Sequence, residues 1–205
     1  GYVQFLPMNF VAFGTDGDGN GRVSLYEPAD AAASCARFLA SYGWKPGISR
    51  EKRRQIIDMV SPWIIGCAQD GYDAVEFDNL DSYTRSDGAL TLEQNLALAT
   101  ELVSVAHDTG LAAGQKNAAE DTVALQEQAS FDFAVTEECA AYRECETYTA
   151  AYGPHVIDIE YTASTDRSFA ELCAQAGSPR SMVHRDRDLT LPGDEGYVFE
   201  TCERE

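Results

Sequence analysis

The residues best suited to chemistry lie in the stretch Tyr72-Asp73-Ala74-Val75-Glu76-Phe77-Asp78-Asn79-Leu80-Asp81-Ser82-Tyr83. Tyr72, Ala74, Val75 and Phe77 suit a short buried strand, while Glu76, Asp78 and Asp81 crowd its C-terminal end. Like charges at this spacing repel, and burial raises carboxyl pKa values further. The usual compensation for gathering them is a metal, a cationic ligand or acid/base chemistry. Asx-turns and a helix cap are the structural alternative. Further along, FDFAVTEE ends in Glu137 and Glu138, HVIDIEYT carries Glu160 near its end, and LAAGQKN ends in Lys116 and Asn117. Strand ends of this kind are where a β/α barrel keeps its catalytic groups. Asp78 and Glu137, two strands apart, would then flank a glycosidic bond. Its hydrolysis needs one protonated acid for the leaving oxygen and one carboxylate for water or the sugar carbon. Neighbouring acids and burial can separate the two pKa values. Each acid taken alone could instead cap a helix; recurrence at successive strand ends argues against that for the set.

The elements that must position these groups follow from periodicity. A helix is predicted from Pro28 to about Tyr42, with Ala32, Ala33, Cys35, Ala36, Phe38 and Leu39 as its apolar stripe, ended by 43–47. A second runs from Ser49, a plausible N-cap, to Asp70, with Ile56, Ile57, Val60, Trp63, Ile64 and Cys67 on one face. Beyond the acid-tipped strand, Thr91 caps a helix to about Thr109, and strands are predicted over 111–117, 131–138, 155–162 and 181–188. Helices near 120–129 and 168–176 and a helical or irregular segment over 140–152 fall between them. This alternation predicts parallel strands joined by right-handed crossovers. Residues 194–205 read as a surface tail held by Cys202.

A separate motif, Asp16-Gly17-Asp18-Gly19-Asn20-Gly21-Arg22-Val23-Ser24-Leu25-Tyr26-Glu27, matches the EF-hand loop pattern. Asp16, Asp18, Asn20 and Glu27 supply hard oxygens, Arg22 offers its carbonyl, and Gly21 permits the sharp turn that wraps a calcium ion. A Gly/Asp-rich surface turn that binds nothing is the alternative. Magnesium suits so many protein oxygens less well.

Composition narrows the class. Of 205 residues 44% are hydrophobic, enough for a core, and the net charge of −19 argues against DNA or RNA as a partner. No run approaches the ~20 apolar residues of a membrane span. No leader-type stretch opens the sequence, as expected of a mature, trimmed or partial chain. Six cysteines without a CxxC pair point to disulfides in a secreted or extracytoplasmic protein rather than to zinc. Cys139 with Cys145 is the first expected pair and Cys173 with Cys202 the second; Cys35 and Cys67 pair or stay free. His107 reads as structural, and His155 and His184 as strand residues packed in the core. Tyr2, Phe5, Phe10 and Phe13 read as core rather than as a sugar platform. Arg185-Asp186-Arg187-Asp188 is either a pocket element or a surface ion-pair ladder.

Two resemblances add to this reading. GYVQFLPMNF followed by DGDGNGRVSLYEPADAAASCARFLASYGWKPG resembles membrane-bound lytic murein transglycosylase B and its relatives over about the first 50 residues. That likeness implies an EF-hand-like calcium site and adds Asp30 to the ligands. The catalytic glutamate of that family precedes the stretch matched by Gly1, so the lytic reaction itself is not implied. From about Ile56 onward, GYDAVEFDNLDSY, AHDTGLAAGQKNAAE, FDFAVTEECAAYREC, VIDIEYT and RDRDL resemble, in order, glycoside hydrolase family 114, the endo-α-1,4-polygalactosaminidase-like barrels. This implies Asp78 and Glu137 as the catalytic pair, with Lys116, Asn117, Glu160 and Asp81 lining the pocket beside Glu76 and Glu138. It also implies an amino-sugar polysaccharide as substrate. The expected fold is α/β: a partial TIM-type (β/α) barrel, with strands resembling the fourth to the eighth over 49–205, preceded by a small α-helical calcium-loop segment over 1–48. Five parallel strands cannot close an eight-stranded barrel. Its open edges are expected to be covered by the N-terminal helices or by self-association. The alternatives to a hydrolase are a non-catalytic, calcium-stabilised carbohydrate- or cell-wall-binding module and a remnant of a peptidoglycan lytic transglycosylase.

Overall fold

The computed structural model describes residues 7–41, 49–162 and 164–202. The expectations placed on Tyr2, Phe5 and the helix end at 43–47 lie outside these residues. Two compact units divide the chain, Gly1–Arg54 and Gln55–Glu205.

In the first unit, helices α1 (Pro7–Phe13) and α2 (Pro28–Ser41) each begin with a proline, whose fixed φ and missing N–H suit the first helical turn. The Phe13 and Phe38 rings meet edge to face at 5.2 Å. The buried side of α2 is formed by Asp30, Ala31 and Ser34, with Ala33, Cys35, Phe38 and Leu39 half-buried. Ala32 and Ala36, expected in the stripe, are exposed because polar Asp30 and Ser34 take the inner positions to hold the preceding loop.

The second unit contains most of α3 (Arg50–Gln69) and then five parallel strands in chain order, β1 (Ala74–Phe77), β2 (Ala112–Lys116), β3 (Phe133–Glu137), β4 (Val156–Tyr161) and β5 (Ser181–Arg185). A sixth strand, β6 (Phe199–Thr201), pairs antiparallel with β5. The expected tail is thus an edge strand, tied by the Cys173–Cys202 disulfide. Helices α4 (Leu92–Asp108), α5 (Thr122–Ala129), α6 (Cys139–Tyr142), α7 (Cys145–Tyr152) and α8 (Phe169–Cys173) fill the connections. This is one wall of a (β/α) barrel. Among the described residues the outer edge of β1 has no strand partner.

Side chains alternate across the sheet with a period of two. Val75, Phe77, Ala113, Ala134, Val156 and Met182 face the helices and join Val103, Ala106, Leu125 and Tyr148 in one core. The opposite face carries Glu76, Gly114, Lys116, Phe133, Glu137, Ile157 and Tyr161. On that face Ile157 is 43% exposed, since five strands leave the barrel interior uncovered. A Cβ on Gly114 would come within 2.5 Å of the Phe133 ring, so the small residue lets that ring lie on β2.

Local signals set the helix ends. Thr91 and Gln94 form a capping box at α4, and Ser168 and Glu171 form another at α8. Cys139 is joined to Cys145, and Cys35 and Cys67 are free thiols. Within α3, Ile57 and Ile64 are buried and Val60 and Cys67 pack on the core, but Trp63, expected on that face, is 63% exposed. It falls on the solvent side of the turn that holds Ile64. His155 precedes β4 and is exposed rather than packed in the core. His184 is half-buried, stacked on Phe169 at 4.9 Å and bonded to Glu200. No helix among the described residues is long and apolar enough to cross a membrane.

Candidate active site

The site grows from the C-terminal ends of β1, β2 and β3. Gln115, wholly buried on β2, donates to the carbonyls of Asn117 and Ala118 and to the Thr122 hydroxyl, and accepts from the Tyr152 hydroxyl at 2.6 Å. These bonds hold Asn117 and Ala118 at positive φ, 51° and 63°. A short amide side chain tolerates that conformation because it can bond locally. Asn117 is thereby turned toward β3. Its Oδ1 accepts from the Glu137 backbone N–H at 2.8 Å and its Nδ2 donates to Glu137 Oε2 at 3.2 Å.

Glu137 collects further donors. The Tyr161 hydroxyl donates to Oε1 at 2.7 Å, and Lys116 Nζ stands 3.3 Å from Oε2. Burial pushes this carboxyl up, but Tyr161, Lys116 and Asn117 outweigh it and hold the group below its ordinary value. Glu76, on the same face of β1, has Lys116 Nζ at 3.9 Å. Burial raises Glu76, Lys116 opposes this, and the Asp78 and Glu137 charges add to the rise. Two acids thus share one ammonium, Glu137 held down and Glu76 pushed up. Asp78 follows β1 and accepts from the Asn79 N–H at 2.6 Å. The loop beyond it is held by Asn95, which donates to the Leu80 carbonyl and the Ser82 hydroxyl, and by Tyr83, which donates to Asp121.

The other expected residues are distributed as follows. Asp81 is engaged by Arg85 in a bidentate ion pair, with contacts of 2.6 and 2.8 Å. Glu138, at φ 64°, turns away from Glu137 and accepts from Arg187 at 2.7 Å and from the Ser164 hydroxyl. Glu160 does not line the pocket. It is wholly buried on the helix side, where Oε1 accepts from the backbone N–H groups of Ala140 and Ala141. Beside it the buried Asp158 accepts from Thr136 and from the Cys139 N–H. The period of two puts Glu160 on the face of Asp158, and Tyr161 is the β4 residue that reaches the site.

One residue of the site, Tyr161, is not singled out by the sequence, and for Arg187 the structure decides between the two roles left open. Tyr161 is signalled only by its offset of one from Glu160. Arg187, from the Arg185-Asp186-Arg187-Asp188 run, lies 4.8 Å over the Tyr161 ring while it pairs with Glu138. The rest of the run is local: Asp186 accepts from Thr190 and Val198 N–H groups. A groove of about 830 Å³ opens at the other, N-terminal end of the sheet, lined by His107, Asp132, Phe133, His155 and Ile157 among others. None of Glu76, Asp78, Glu137 and Glu138 lines it.

In the first unit, Asp16, Asp18 and Asp30 bring carboxylate oxygens within 4.8 Å of one another. Asp30 is fully buried and accepts from the Gly17 and Ser24 N–H groups, which closes the loop. Asp16 accepts from Gly19, Asn20 and Gly21, and the Gly21 N–H foremost lowers its pKa. Glu27 Oε2 accepts from Asn20 Nδ2 at 3.0 Å, and the Arg22 N–H donates to Asn20 Oδ1.

Comparison with known proteins agrees with both halves. Residues 1–60 match the transglycosylase SLT domain. Over 47 residues the chain is 36% identical to membrane-bound lytic murein transglycosylase B of Escherichia coli (strain K12), which is 23% of this chain and 13% of that protein. The crystal structure of Aspergillus fumigatus Ega3 in complex with galactosamine superposes with a TM-score of 0.58 at 26% identity. That match covers 75% of this chain and 62% of the other, so this chain spans under two thirds of the length of either relative. The five parallel strands with their strand-end acids fall inside a match to glycoside-hydrolase family GH114 that runs over residues 44–205, and the chain belongs to that family.

Proposed function

We propose that this chain hydrolyses glycosidic bonds of an amino-sugar polysaccharide of the endo-α-1,4-polygalactosaminidase type, with Asp78 and Glu137 as the carboxylate pair. The observation that carries this reading is the pairing of Glu76 and Glu137 with Lys116 at adjoining strand ends, with Asp78 just past the end of β1 and close enough for its charge to raise Glu76, while Glu137 is held down. Glycoside cleavage needs two carboxyls in different roles: one gives its proton to the glycosidic oxygen as the C–O bond breaks, and an ionised one attacks the sugar carbon or takes a proton from water. Lys116 and Asn117 orient Glu137, and the acids collected at these strand ends suit a cationic, deacetylated amino sugar. The galactosamine bound in the similar Ega3 structure supports this substrate class. A non-catalytic binding module and a lytic remnant are less well supported, since the hydrolase family covers 44–205 and the lytic match only 1–60. A scan of amino-sugar polymers, neutral polysaccharides and peptidoglycan for released reducing ends tests the reading. Release from the galactosamine polymer is expected; release from peptidoglycan alone would overturn it.

The first unit is proposed to hold structural calcium. What supports this is that Asp16, Asp18 and Asp30 bring their carboxylate oxygens within 4.8 Å of one another; the Asn20 side chain, the Arg22 carbonyl and Glu27 of the same loop would add the further hard oxygens that calcium takes. Calorimetric titration with calcium is expected to give one saturable site per chain, lost in Asp16→Ala. No heat, or an unchanged titration in the variant, would contradict it. The two disulfides support secretion to an oxidising compartment. The outer edge of β1, without a strand partner among the described residues, supports self-association as its cover.

A further inference from the structure

The β3–α6 turn places two acids side by side, and a hydrolase site of the kind proposed needs only one of them free to act. Glu138 is 8% exposed and has its charge met by Arg187, with the Ser164 hydroxyl on the same oxygen. Arg187 stretches across the Tyr161 ring to reach it, with Cζ 4.8 Å from the ring centre. The far end of the same ring carries the hydroxyl that donates to Glu137 Oε1 at 2.7 Å. One guanidinium therefore touches both the neighbour of Glu137 and the donor to Glu137. A phenol is rigid beyond its two side-chain torsions, so a cation on its face fixes where its hydroxyl points. Burial, and next the bond to Glu137, push the Tyr161 hydroxyl up, so it stays a donor across the working range.

We propose that Tyr161 is a positioning residue for Glu137, set in place by Arg187, and that the two together keep Glu137 oriented and separate from the charge of Glu138. The inference rests on Glu137 being one of the reacting carboxylates. Among the described residues the groups that face Glu137 are Lys116 at the end of β2 and Asn117 just beyond it, Glu76 from β1 and Tyr161 from β4; Asp78, past the end of β1, acts on Glu76. Among the described residues Tyr161 alone meets Oε1; Lys116 and Asn117 both meet Oε2. Loss of the hydroxyl leaves that oxygen without a protein donor among the described residues.

Tyr161→Phe keeps the ring and the packing, so the fold is retained. Its carboxyl titration, followed by carbon-13 NMR of labelled glutamate and assigned with Glu137→Gln, is expected to move the Glu137 midpoint up by about one pH unit. In the pH profile of cleavage one limb moves by the same amount: the acidic limb if Glu137 acts as a carboxylate, the basic limb if it acts as the acid. An unmoved midpoint overturns the proposal. The NMR readout needs no turnover, so a chain that releases no sugar refutes the hydrolase reading while the titration still decides this one. Arg187→Met is expected to raise the midpoint in the parent and by less than half as much in Tyr161→Phe. Equal shifts in both backgrounds would show that Arg187 acts by its own charge and would overturn the link through the ring.

Discussion

Glu137→Gln and Asp78→Asn are each expected to lower the rate of amino-sugar polymer cleavage by about 10³-fold, with little change in affinity for the polymer. Both substitutions keep size and polarity and remove the ability to exchange a proton or bear the charge. Glu137 is the more heavily supported of the two, since the Tyr161, Lys116 and Asn117 side chains converge on it. Asp78 is met by one backbone N–H at its own strand end. Release of reducing ends under saturating polymer, with binding measured separately, checks both. A variant that retains a tenth or more of the parent rate would remove its residue from the pair.

Asp158→Asn is expected to change how stability depends on pH. Asp158 and Glu160 are both wholly buried, and Asp158 Oδ2 and Glu160 Oε2 each lack a hydrogen-bond partner unless one proton lies between the two carboxyls. Burial, with the Glu160 charge adding to it, pushes Asp158 up to about 7. The folded state then binds a proton that the unfolded chain releases near the ordinary value of 3.8. Stability from this pair is therefore full below that value and is lost as pH rises through about 7. In Asp158→Asn the carbonyl oxygen still accepts from Thr136 and Cys139, and the amide donates to Glu160 at any pH. Between pH 5 and 8 the parent is expected to lose about 3 kcal/mol, or about 8 °C in melting temperature, that the variant retains. Parallel decline of the two melting curves would contradict the shared proton. The pair matters to the site because it holds the N–H groups of Cys139, Ala140 and Ala141, just past Glu137 and Glu138.

What could be read beforehand was whatever depends on neighbours in the chain. The Thr91 cap, the five parallel strands and the Cys139–Cys145 loop all follow from residues a few positions apart. The carbonyl- and amide-bearing turn at Asn117 was legible as a strand end, but not the buried Gln115 that shapes it. β6 escaped because three residues at an edge, Phe199–Thr201, carry no alternation long enough to notice, and all three are exposed. Glu160 was assigned to the pocket by likeness, whereas its alternation with Tyr161 sends it to the helix side. Tyr161 and Arg187 meet Glu137 and Glu138 across 24 and 49 positions, a closeness that no local pattern encodes.

The most direct measurement of the central claim is a crystal structure of Glu137→Gln soaked with a galactosamine oligomer. A sugar ring is predicted at the C-terminal end of the sheet, over Lys116, with its glycosidic oxygen within hydrogen-bond reach of Asp78 or residue 137. A ring seated instead in the groove beside His107 and Ile157, or an empty carboxylate cluster at saturating oligomer, would contradict the account.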